Sequence, residues 1–214
     1  MKEFWLANGL QFAKPSTEPG VSRNRPNVRS SVAAVRRLVR SPRLLRMAAT
    51  LLSAESAASV CVWMERAFFK DPGDGATHWH TDASANRINV PILTAWIPLA
   101  PTSPRNGGLR FELWQREQNS VKNGTFVPPA ALSKEEELAP PSARARVVAP
   151  TMQPGDVSFH HGRTKHSASA NESRELREAF TIMFAIFKRK PGGSVMCAPD
   201  PRWEGRLDVE RQEQ

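Results

Sequence analysis

Cysteine is scarce in this chain, with Cys61 and Cys197 the two among 214 residues. Two thiols cannot make the disulfide framework of a small secreted domain, and a chain with 40% hydrophobic residues can build a core without one. The expectation is a reducing, intracellular setting, cytoplasmic by default. Nowhere does the sequence run to the roughly 18 consecutive apolar residues of a membrane span, and MKEFWLANGL lacks the apolar stretch of a secretory leader. Acidic residues are missing between Ser22 and Ala54, where Arg23, Arg25, Arg29, Arg36, Arg37, Arg40, Arg43 and Arg46 lie. That segment imitates a mitochondrial transit peptide, but Glu3 and Glu18 interrupt the acid-poor pattern such a peptide needs. Internal repeats and low-complexity segments are also absent, which excludes solenoids and fibrous architectures.

The length suits a single domain. Residues 1–30 hold Pro15, Pro19, Gly20 and Pro26 with no sustained period, and are expected to form an extended lead-in. Residues 31–58 have apolar positions at Val32, Val35, Leu38 and Val39, then Leu44, Leu45, Ala48, Leu51 and Leu52, the spacing of two basic helices. Pro42 divides them, with Ser41-Pro42 as N-cap and first turn of the second. From residue 59 to 190 the pattern changes. VCVWMERAFF, ILTAWIPLA, GLRFEL, ARVVAP, DVSFH and EAFTIMFAIF are short β-branched and aromatic runs punctuated by Gly, Pro and Asn, as in a β-sandwich or barrel. SKEEEL is expected to form a brief helix, with Ser133 and Glu136 at capping-box spacing. Residues 191–214 are left as a C-terminal tail.

The stretch THWHTDAS concentrates the chemistry. On a strand, His78, His80 and Asp82 share one face while Trp79 and Thr81 share the other. Ligands at i and i+2 reach one ion, and one further imidazole completes the two-histidine, one-carboxylate facial triad of non-heme iron oxygenases, which leaves three coordination positions open. The second histidine cluster, PGDVSFHHGRTKHSASANESRELREAF, offers His160, His161 and His166.

Several signals in fixed order then carry a resemblance. They are His80-Thr81-Asp82, Thr94-Ala95-Trp96, Asn106-Gly107-Gly108-Leu109, Gly155-Asp156, His166, and Arg177 eleven residues beyond it. In this the chain resembles the phytanoyl-CoA dioxygenase family of iron(II)- and 2-oxoglutarate-dependent oxygenases, over roughly residues 59–190. The resemblance implies a fold that is mainly β with flanking helices, a cupin-like jelly roll or double-stranded β-helix. It implies His80, Asp82 and His166 as ligands of iron(II), and Arg177 as the partner of the far carboxylate of 2-oxoglutarate. A guanidinium suits that task, since its planar donor fork matches a carboxylate and stays charged. Thr94 and Trp96 share a strand face and are expected to wall the co-substrate pocket. The implied reaction consumes dioxygen and 2-oxoglutarate, releases succinate and carbon dioxide, and hydroxylates an unactivated C–H bond of a small molecule. Halogenating relatives lack the metal carboxylate, whereas this chain keeps Asp82. Where many members continue with a P-G-S-H-like segment this chain has RFELWQREQNS, and Ala168, beside Ser167, replaces a serine that helps some members bind 2-oxoglutarate.

Plainer readings stand beside these. A third near ligand would block an open position, so His78 is expected to be a bystander. His160 and His161 are expected to be structural or pocket-lining, Asn171 to shape the turn after His166, and Lys70 to be a solvated strand end or the partner of an anionic group. Zinc accepts the same ligands. Two other functions compete: a catalytically degenerate family member, and a nucleic-acid or anionic-surface module built on Arg23–Arg46. Arginines on the outside of packed helices are ordinarily a solvated face, so nucleic acid is not the expected partner.

Overall fold

A computed structural model describes residues 23–85, 91–113, 120–122, 125–127, 133–143, 145–186, 188–189 and 195–196. The Pro15–Gly20 part of the expected lead-in, and the tail apart from residues 195–196, lie outside the described residues.

Two antiparallel sheets form the body. The larger has strand order β1-β2-β11-β4-β9, from β1 (Arg23–Pro26), β2 (Val60–Lys70), β4 (Ile92–Pro98), β9 (Ser158–His161) and β11 (Arg177–Ile186). The smaller has order β3-β10-β5-β8, from β3 (Thr77–His80), β5 (Leu109–Leu113), β8 (Arg146–Val148) and β10 (His166–Ala168). Two small ribbons, β6 (Ser120–Lys122) with β7 (Thr125–Val127) and β12 (Lys188–Arg189) with β13 (Val195–Met196), complete the described strands. The crossovers between sheets make this the jelly roll expected from the run of short strands.

β11 explains why its sequence is apolar almost throughout, because it is central in its sheet and buried on both faces. Phe180, Ile182 and Phe184 point to the outer side, where they meet Val35 and Val39 of α1 (Ala33–Val39) and Leu44, Ala48 and Ala49 of α2 (Pro42–Leu51). Each buried Phe is worth about 1.5–3 kcal/mol of transfer free energy. Ala179 and Met183 face the interior between the sheets, where Trp96, Leu109 and Phe111 also lie. The helices thus brace the sheet from behind and leave its inner face to the site.

Pro42 opens α2 with Ser41 at the N-cap position, although the Ser41 side chain makes no capping hydrogen bond. The short helix Lys134–Leu138 has the full capping box, Glu136 N donating to Ser133 Oγ at 3.2 Å and Ser133 N to Glu136 Oε2 at 2.8 Å. Residues 23–30 of the expected lead-in are part of the fold. Arg23–Pro26 pairs with β2, and the turn behind it is held by Glu65, a fully buried carboxylate that accepts from Asn27 N at 3.1 Å and Arg29 N at 2.7 Å. Arg25, Arg36, Arg37, Arg40, Arg43 and Arg46 are exposed, while Arg23 is paired with Asp71. Cys61 is disulfide-bonded, so the argument from reduced thiols to a reducing compartment does not carry over to the folded chain. Among the described residues, no helix is long and apolar enough to cross a membrane.

Candidate metal centre and its cationic neighbour

His80 ends β3 and His166 begins β10, and the antiparallel pairing of these strands sets the two residues opposite each other. Their ring centroids are 4.3 Å apart. Each ring is pinned in the same way: Nδ1 of His80 lies 2.9 Å from the carbonyl of His78, and Nδ1 of His166 lies 2.9 Å from the carbonyl of Thr164. A carbonyl only accepts, so Nδ1 carries a hydrogen on both rings and Nε2 is the nitrogen turned to the metal position. Burial, with the neighbouring imidazole of His160, pushes His166 down to about 3, so it is neutral and available to a metal at any working pH.

Asp82 does not reach the site by strand alternation. The strand stops at His80, and Asp82 opens a single helical turn, Asp82–Ala85 (α3), anchored by Ala83 N on Gly162 O at 2.8 Å. The carboxylate still converges, and the ligand atoms of His80, Asp82 and His166 all lie within 4.8 Å of one another. Burial raises the carboxyl's proton affinity, but the imidazoles of His166 and His160 and the hydroxyl of Thr94 outweigh it and hold Asp82 far below the usual carboxylate range. Two imidazoles and one ionised carboxylate are the donor set of a divalent cation with open positions. His78 is exposed and contributes its backbone carbonyl alone.

Thr94 and His160 both turn toward Asp82. Thr94 Oγ1 donates to Asp82 Oδ2 at 2.5 Å, and His160 Nε2 lies 3.0 Å from the same oxygen. The sequence reading sets Thr94 on the co-substrate wall; its hydroxyl is committed to the carboxylate of Asp82. The expectation that His160 and His161 are structural or pocket-lining names no partner for either, and it is His160 that meets Asp82.

Arg177 begins β11 directly opposite Lys70 at the end of β2. It is 3% exposed, its guanidinium carbon lies 5.9 Å from the centre of the Trp96 ring, and its Nε and Nη1 have no hydrogen-bond partner. Leaving buried donors unpaired costs about 1–3 kcal/mol, more for a charged group, so a stable fold keeps them only with a compensating use. Lys70 shows the opposite condition. It is fully buried rather than a solvated strand end, and its ammonium donates to the carbonyls of Gly75 at 2.7 Å and Ser169 at 2.8 Å and to Thr77 Oγ1 at 3.4 Å. Burial, then the charge of Arg177, brings its pKa down to about 8.

The Asn106-Gly107-Gly108 turn closes this end. Gly107 has φ +89°, and a Cβ there would stand 2.6 Å from Lys70 Cδ and 3.5 Å from Arg177 Nε. Asn171 ties the end of β2 to the segment after β10, donating to Lys70 O and Glu175 O at 2.8 Å each. Ser167 is on the strand face opposite to His166, where Arg110 Nε donates to its hydroxyl at 3.1 Å.

A jelly roll that gathers His80, Asp82 and His166, together with a buried arginine whose Nε and Nη1 lack partners, has the donor set of a non-heme metal-dependent oxygenase. The chain belongs to the phytanoyl-CoA dioxygenase (PhyH) family, of the iron- and 2-oxoglutarate-dependent oxygenase type, whose family model matches residues 12–179. No curated protein sequence matches. Similar solved structures include the α-ketoglutarate-dependent epimerase SnoN from nogalamycin biosynthesis, with 22% identity over 86% of this chain and 70% of that one and a TM-score of 0.65. The carbocyclase SnoK of the same biosynthesis has 23% identity, 86% and 71% coverage, and a TM-score of 0.66. EctD from S. alaskensis, solved with 2-oxoglutarate and 5-hydroxyectoine, has 22% identity, 86% and 64% coverage, and a TM-score of 0.60.

Proposed function

We propose that this protein is an iron(II)- and 2-oxoglutarate-dependent dioxygenase that hydroxylates an unactivated C–H bond of a small organic substrate, with release of succinate and carbon dioxide. The observation that carries the reading is the pairing of two features in one barrel: three ligand groups whose atoms lie within 4.8 Å, and a buried guanidinium with unpartnered donors. His80 and His166 would hold the metal through Nε2, and Asp82 through a carboxylate oxygen. Bound iron supplies activation of dioxygen. Arg177 would grip the far carboxylate of 2-oxoglutarate with the two N–H groups that lack protein partners, above the face of Trp96. Lys70, its own donors already used, adds positive charge to that end of the pocket rather than a direct hydrogen bond. Ala168 offers no hydroxyl here, which leaves the grip to Arg177.

The similar structures include an epimerase and a carbocyclase, which are different outcomes on the same fold. Product analysis therefore belongs in the test. Anaerobic addition of iron(II) and 2-oxoglutarate is expected to give a weak visible charge-transfer band. Succinate release across a metabolite panel, with His80→Ala as the blank and mass spectra of the products, is expected to show a gain of one oxygen atom. Well-folded protein with neither the band nor succinate above the blank would refute the assignment.

A further inference from the structure

We infer that His160 and Thr94 are positioning residues for the metal carboxylate, holding Asp82 Oδ2 from the opposite sheet. The inference rests on the proposed metal-dependent function and assigns two residues of its site.

Asp82 needs an external hold. His80 and His166 are each fixed by their own strand and by a carbonyl two residues earlier. Asp82 has left β3 and sits at the head of one helical turn, so no ladder fixes its side chain. The hold comes from β4 and β9 of the larger sheet, where Thr94 and His160 are direct register partners. Both are buried, at 4% and 5% exposure. Their donors meet on one oxygen, at 2.5 Å and 3.0 Å, while Asp82 Oδ1 faces His166 Nε2 at 3.9 Å. Two donors meeting on one oxygen fix the plane of the carboxylate, and a carboxylate that ligates through one oxygen keeps three positions open on an octahedral metal.

The roles of the two His160 nitrogens follow from the same contacts. A carboxylate only accepts, so Nε2, rather than Nδ1, supplies the hydrogen that meets Asp82. That Nδ1 is buried without a hydrogen-bond partner. A phenylalanine would fill this volume, packed near Phe111, without leaving a polar atom stranded. The imidazole is therefore explained by what Nε2 does for Asp82. Its ring centroid is 4.4 Å from that of His166, close enough that losing the hydrogen bond would be felt at the ligand set.

The test measures cobalt(II), as an anaerobic substitute for iron, by titration calorimetry and by its visible ligand-field bands. Variants are His160→Phe, His160→Gln, Thr94→Val and His80→Ala, with thermal melts alongside. Outer partners of metal ligands typically contribute 10–100-fold to affinity. His160→Phe and Thr94→Val are each expected to weaken cobalt binding by about 10-fold or more and to alter the ligand-field bands as Asp82 swings or chelates with both oxygens. His160→Gln, whose amide N–H can reach the same oxygen, is expected to recover most of the affinity and the wild-type bands. A role in packing alone would lower the melting temperature while leaving the bands in place, and that result overturns the inference. So does glutamine performing no better than phenylalanine. A loss in His160→Phe as large as in His80→Ala would make His160 a ligand and also overturn it. If the wild-type protein binds no divalent ion, the proposed function fails with it; if wild type binds and these variants bind equally well, the function stands and this assignment alone falls.

Discussion

His80 and His166 face each other across the β3–β10 pair with ring centroids 4.3 Å apart, each held by the carbonyl of the residue two before it in sequence. The pre-set tautomers mean that metal binding needs no rearrangement of either ring. His80→Ala and His166→Ala are therefore expected to lose more affinity for iron(II) or cobalt(II) than the roughly 10–100-fold that an outer partner costs. Calorimetry on the metal-free protein checks this.

Arg177 sets function against stability. Its unpaired donors are a burden on the fold, so Arg177→Met is expected to leave the melting temperature unchanged or raised. Hydrogen bonds to charged groups are worth about 1.5–3 kcal/mol, so the same change should weaken 2-oxoglutarate binding by about 10–100-fold. Fluorescence or calorimetric titration with 2-oxoglutarate would read this, and an unchanged dissociation constant would remove Arg177 from the co-substrate site.

Lys70 gives the pocket a pH response. With its pKa brought down to about 8 by burial and by Arg177, the ammonium discharges as pH rises from 7 to 9. A bound dianion favours the charged form, so binding takes up a proton above pH 8, and 2-oxoglutarate affinity is expected to fall as pH rises through that value. Lys70→Met should flatten the dependence in a pH series of binding titrations.

Acid acts on the metal-free fold through His166 and His161, held down to about 3 and about 4 chiefly by burial. In the unfolded chain both protonate near pH 6.5. Between those values the unfolded state binds more protons, so stability falls as pH drops below about 6.5, at up to about 1.4 kcal/mol per pH unit per histidine. Urea midpoints at pH 7 and pH 5 are the measurement, and His161→Leu should reduce the difference.

Gly107 and Gly155 separate backbone strain from site contact. Both have positive φ, +89° and +104°, but a Cβ at Gly155 meets nothing within 4 Å while one at Gly107 presses on Lys70. Alanine at either position is expected to cost about 1–2 kcal/mol in stability. Gly107→Ala alone should also alter 2-oxoglutarate affinity. Melting curves paired with binding titrations distinguish the two.

Much of this was legible in the residues themselves. Short β-branched runs with Gly and Pro punctuation specify strands, because their period is local, and the capping box at Ser133 and Glu136 is local as well. The triad His80, Asp82, His166 and the arginine eleven residues on were readable as residue types at family spacing. What the chain alone did not decide is which side chains meet across long separations in sequence. Alternation assigns a residue to one of two faces, but not to a neighbour in another strand. Hence Asp82 comes in on a helical turn rather than a strand, Lys70 is buried against Arg177, and Thr94 and His160 close on one oxygen from a sheet whose strand register is set by packing. Local periodicity wrote the strands; the register between them, fixed only when both faces of β11 are buried, made the site.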